Sequence, residues 1–124
     1  VKPYEITVQV QAQFMPEQSE PAQQQYFFTY TVRITNTGQL PAQLISRHWV
    51  IVDGNNETQD VQGLGVVGQQ PLLAAGETFE YTSGCPLNTP VGSMHGTYLC
   101  AGDDGEPFRA TIPEFVLAMP RSLH

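Results

Sequence analysis

Long apolar runs are missing from this 124-residue chain. Nothing in it approaches the roughly 20 consecutive apolar residues that a membrane-crossing helix needs, so no membrane insertion is expected. Lysine is nearly absent. Lys2 stands alone, and with Arg33, Arg47, Arg109 and Arg121 makes only five basic residues, scattered rather than clustered. Twelve acidic residues oppose them, for a formal net charge of −7. A chain of that sign repels phosphate backbones and anionic surfaces, which argues against nucleic acid as a partner. The zinc-site spacings C-x-x-C and H-x-x-x-H do not occur. The opening "VKPYEITVQV" alternates instead of forming an apolar block and does not read as a signal peptide. The expected setting is therefore cytoplasmic, with Cys85 and Cys100 reduced and structural. The length suits one domain spanning 1–124, able to bury roughly 65% of its unfolded surface in a single core.

A helical period of 3.6 residues is also lacking, whereas alternation is present throughout. Tyr4, Ile6, Val8, Val10 and Ala12 are apolar at every second place. Tyr26, Phe28, Tyr30, Val32 and Ile34 share one face opposite Thr29, Thr31, Arg33 and Thr35. "LISRHWVIVDGNN" is apolar on both parities around Trp49, as a central strand would be, and ends in a turn. Further strands are expected over 66–73, 78–83, 95–100 and 108–119. In the last, Phe108, Ala110 and Ile112 are even while Phe115, Leu117 and Met119 are odd. One extra residue at a bulge beside Pro113 would turn both halves to the same core. About seven strands, punctuated by eleven glycines and ten prolines, predict an all-β sandwich of the fibronectin-III or immunoglobulin-like kind. Both cysteines follow Trp49, so the inter-sheet disulfide of antibody domains is not expected. Tyr98 stands two residues before Cys100, where a tyrosine corner would sit.

One motif asks for chemistry. "GLGVVG" places Gly63, Gly65 and Gly68 at the G-x-G-x-x-G spacing of dinucleotide folds. That fingerprint works when a buried strand leads in and a helix leads out, so that backbone N–H groups meet the pyrophosphate. Here "ETQDVQ" before it is polar, and "QQPLLAAGETFEY" after it leaves room for barely one helical turn. The glycines read as bends or close packing within a sheet, with weak anion contact as the functional alternative. For hard cations the candidates are Asp103, Asp104 and Glu106 in "DDGE", on an expected hairpin loop that is otherwise a solvated turn. Among softer ligands, His48 reads as a packed, hydrogen-bonded histidine. Cys85 and His95 would make a thiolate pair only if the fold joined them. No catalytic nucleophile–base set is legible, and no cofactor is expected.

The blocks "SRHWVIVDG", "VQGLGVVGQQPLL", "FEYTSG", "GSMHGTYL" and "IPEFVLAMPRSLH" resemble, in order and over essentially the whole chain, the bacterial ApaG (CorD) family. The resemblance implies a stand-alone ApaG domain with a fibronectin-III-like sandwich. It also implies a link to cobalt resistance and magnesium efflux, with nucleotide binding raised by the glycine stretch. The same domain in eukaryotic F-box and polymerase-delta-interacting proteins implies a module that binds a protein partner. Surface loops and sheet edges are then the expected contact regions, specifically residues 63–70 and the closing segment 119–124. Homo-oligomerisation through edge strands is open on the same grounds.

Overall fold

A computed structural model describes residues 2–120. Eight strands form within them: β1 (Ile6–Phe14), β2 (Tyr26–Asn36), β3 (Ala42–Asp53), β4 (Thr58–Leu64), β5 (Leu72–Leu73), β6 (Thr78–Leu87), β7 (Val91–Gly102) and β8 (Pro107–Ala118). Two 3-10 turns, Pro16–Gln18 and Pro21–Gln23, fill the β1–β2 connection. The strands make two antiparallel sheets, β1-β2-β6 and β4-β3-β7-β8, with β5 pairing the start of β3. This is the expected β-sandwich. Both thiols are free and buried.

The period-2 pattern drives the layering. On β2, Phe28, Tyr30, Val32 and Ile34 are buried, and Arg33 faces solvent. On the other sheet, Leu44, Trp49, Tyr98, Ile112 and Leu117 face them. Trp49 is 2% exposed and makes edge contacts with Tyr30 (5.2 Å between centroids) and Phe115 (5.9 Å). Such aromatic pairs add to the area term at the centre of the core. The parity break near Pro113 is a bulge. Met94 pairs Phe115 but Gly96 pairs Ile112, so β8 holds one residue more than β7 across that step. The extra residue returns Phe115 and Leu117 to the core side.

Two expectations need correction. The strand over 66–73 is reduced to Leu72–Leu73, and the polar stretch before Gly63 is the strand β4 instead. β4 is largely exposed on both faces, so it carries no hydrophobic period by which to find it. Tyr98 does not form a tyrosine corner. Its hydroxyl shares a hydrogen bond with that of Tyr81, across the sandwich, where a corner tyrosine would bond upstream backbone.

Candidate functional site

β4 and β5 lie in tandem along the same edge of β3, and residues 65–71 are the excursion between them. β3 answers with its own register shift between Leu44 and Ser46, which leaves Ile45 unpaired in the ladder. Its carbonyl receives the Gly65 N–H (2.7 Å) and the Gln70 Nε2 (2.9 Å), tying down the excursion. Arg47 holds the entrance, its Nη1 donating to the carbonyls of Leu64 (3.0 Å) and Gly65 (2.9 Å). At the tip, Val66 and Gln69 exchange two backbone hydrogen bonds, 2.8 and 2.9 Å, around a two-residue turn. Both central residues, Val67 (φ 42) and Gly68 (φ 79), have positive φ, the signature of a type I′ turn.

The three motif glycines thus have separate reasons. A Cβ on Gly63 would lie 2.9 Å from the Arg47 guanidinium, so its absence makes room for that side chain. Gly65 sits at φ 65, and a Cβ there would run into the Gln69 carbonyl. Gly68 supplies the second positive φ of the turn. The next element along the chain is a two-residue strand, so the turn opens no helix whose N-terminus would face an anion.

Val66 is wholly buried and anchors the turn, whereas its neighbours are turned outward. Leu64 is 75% exposed, Val67 56% and Leu72 64%. Val67 is the unexpected member. A β-branched residue at positive φ is a backbone outlier costing about 1–3 kcal/mol, and such strain concentrates at functional sites. An open depression of about 510 Å³ adjoins this edge, lined among others by His48, Leu64, Leu99 and Arg109.

The soft metal candidates are separated by the sheet itself. Cys85 and Cys100 point into the core, and burial pushes each thiol up to about 11. His48 and His95 are half-buried on strands whose alternate residues, Trp49 and Met94, face inward. The Cys85–His95 pair is therefore not formed. His48 is not a packed, hydrogen-bonded core histidine either. Its Nε2 has no hydrogen-bond partner and lies 3.8 Å from the Asp60 carboxylate. Its place on the outer face was hidden by the apolar residues at both parities around it.

The acidic candidates fall on the expected β7–β8 hairpin. Asp104 Oδ1 accepts the Glu106 N–H (3.0 Å), and Gly105 at φ 82 completes the turn. The Asp104 N–H reaches the Tyr4 hydroxyl (3.2 Å), and Asp103 and Glu106 point to solvent. Among the described residues, no three His, Cys, Asp or Glu side chains gather as a metal site. No helix among them is long and apolar enough to cross a membrane. The candidate segment 119–124 falls mostly outside the described residues, which end at Pro120. Within them, Met119 donates its N–H to the Pro90 carbonyl (2.8 Å).

Comparison with known proteins adds the family. The sequence model of the ApaG domain matches residues 16–102. Protein ApaG of Bordetella pertussis is 68% identical over 124 residues, covering 100% of this chain and 95% of that one. Protein ApaG of Ralstonia nicotianae is 61% identical over 121 residues, covering 98% of each. The crystal structure of an ApaA protein from Bordetella pertussis superimposes with a TM-score of 0.96 at 68% identity, over 98% of this chain and 99% of that one. On the whole-chain identity and the shared sandwich, the chain belongs to the ApaG domain family.

Proposed function

We propose that this chain is a non-enzymatic protein-interaction module, acting in the cytoplasm in divalent-cation homeostasis of the cobalt-resistance and magnesium-efflux kind. The observation that carries the reading is the turn at 65–71, where Val67, on a strained backbone, and the flanking Leu64 and Leu72 are held exposed. Exposed apolar side chains around one rigid feature mark contact surfaces. The backbone bonds fix their positions before any partner arrives, which lowers the entropy lost on binding. The cation phenotype then comes through the partner, and needs no metal ligand on this chain.

The test compares the wild-type chain with a Leu64→Asp, Leu72→Asp double variant. Both sites are exposed, so the variant is expected to melt within a few degrees of the wild type. Capture from native cytosol is expected to yield a stoichiometric protein with the wild type and none with the variant. The variant is also expected to fail to restore cobalt tolerance to a strain lacking its own family member. Full restoration by the folded variant would overturn the reading.

A further inference from the structure

Four edges border the two sheets, with β4 and β5 sharing one, and the other three are guarded. On β8 the hydrogen bond from Gly102 N–H to Glu106 O sets the even residues of its first half toward β7, which turns Pro107 and Pro113 outward. On β6 the bond from Asn36 N–H to Glu77 O sets the odd residues toward β2, so Pro86 lies on the free side. A proline on the free side of an edge withholds the N–H that an added strand would need. β1 runs beside β8, with Tyr4 stacked on Phe108 at 5.8 Å. A cleft of about 360 Å³, lined by both strands, separates them.

β4 has no such guard. It carries neither proline nor lysine, and its ladder to β3 runs unbroken from Ser46–Leu64 to Val52–Thr58. The Asp53 N–H to Glu57 O bond and the Gly65 N–H to Ile45 O bond set the odd residues toward β3. The backbone groups of Thr58, Asp60, Gln62 and Leu64 therefore point away from the sheet, and among the described residues only the Leu64 carbonyl of these is engaged, by Arg47. The edge has chemical polarity as well. Exposed Glu57 and Asp60 lie toward one end and exposed Leu64, with Val67 beyond it, at the other.

We propose that β4 is the docking edge, and that its occupant is an extended segment of a partner protein which adds to the sheet as a further strand. This rests on the protein-interaction reading above and names the partner's chemistry. Asp60 and Leu64 are four residues apart on one face, so the segment carries a basic and a large apolar residue four positions apart, also on one face. Main-chain pairing holds the segment, and the alternate side chains select it. The chain's charge of −7 steers a basic segment toward it.

The experiment uses the full chain and synthetic strand-forming peptides of about ten residues. One peptide carries Lys and Leu four positions apart, a second has Glu in place of Lys, and a third sets Lys and Leu three apart, on opposite faces. Binding of the first peptide is expected to slow amide exchange at Thr58, Asp60, Gln62 and Leu64 by about tenfold or more. The second and third are expected to bind at least about tenfold more weakly. Gln62→Pro removes an outward N–H that β3 does not use, and is expected to abolish binding in a chain that still melts cooperatively. Should that variant fail to fold, Asp60→Lys serves instead, with preference expected to reverse toward the Glu peptide. No binding by the first peptide, or binding that leaves those four amides exchanging as before, would overturn strand addition. Binding lost in the Leu64→Asp, Leu72→Asp variant but retained in Gln62→Pro would also overturn it, and would leave the turn itself as the contact surface.

Discussion

Gly65 and Trp49 show what one side chain, or its absence, decides in this molecule. At Gly65 a methyl group meets a backbone carbonyl at a positive φ. Gly65→Ala is therefore expected to lower stability by more than about 1 kcal/mol, read from the denaturant midpoint. An unchanged midpoint would mean the turn relaxes freely. Trp49 lies among Tyr30, Tyr98 and Phe115, and Trp49→Ala is expected to cost about 3–5 kcal/mol. Blue-shifted, iodide-resistant fluorescence of the native protein checks the same placement. The tryptophan's burial was legible because apolar residues surround it in sequence. The strain at Val67 was not, since nothing in "GLGVVG" says which residue takes the first positive φ of the turn. Asn36 was equally silent. It is fully buried, donates to the Leu40 and Leu73 carbonyls at 2.9 Å each, and accepts the Gly38 N–H. Its partners Gly38 and Leu40 lie in a loop that the sequence does not place, and Leu73 lies in the short β5.

Among the elements, strands with one buried face announced themselves and strands without one did not. β1, β2 and β8 follow from alternation, and the bulge at Pro113 follows from a change of parity. β4 escaped notice because it pairs on one side only and buries little. Residues 66–73 misled in the opposite sense, since their apolar content serves an anchored turn and exposed contacts. The bulge gives an element-scale prediction. Deleting Glu114 removes the extra residue and leaves β8 alternating without a break, so Phe115 and Leu117 keep the core side. The deletion is therefore expected to cost about 1 kcal/mol or less, measured by thermal or denaturant unfolding. A loss of roughly 3–6 kcal/mol, the burial of those two side chains, would show that the bulge does more than restore the parity.

For the whole molecule, the core contains several acids that burial keeps neutral. Burial and the neighbouring Tyr81 hydroxyl raise the Tyr98 pKa, burial takes Tyr81 to about 12, and the thiols of Cys85 and Cys100 stand at about 11. Their unfolded values are 10.0 for tyrosine and 9.0 for cysteine. Each folded value is raised, so the unfolded chain gives up these protons first. Their contribution is complete below pH 9 and is lost as pH rises through 9–11 for the thiols and 10–12 for Tyr81. The denaturant midpoint is expected to hold level from pH 7 to 9 and fall steadily above it, and a flat profile to pH 11 would place these groups in water. The proposed function turns on one residue that works against this stability. Val67→Asn puts a residue tolerant of positive φ at the strained position and removes the exposed apolar side chain. The deciding measurement is a melting curve of this variant beside cobalt-tolerance complementation. The predicted result is a chain at least as stable as the wild type that fails to complement, and full complementation by that stable chain would contradict the docking role of the turn.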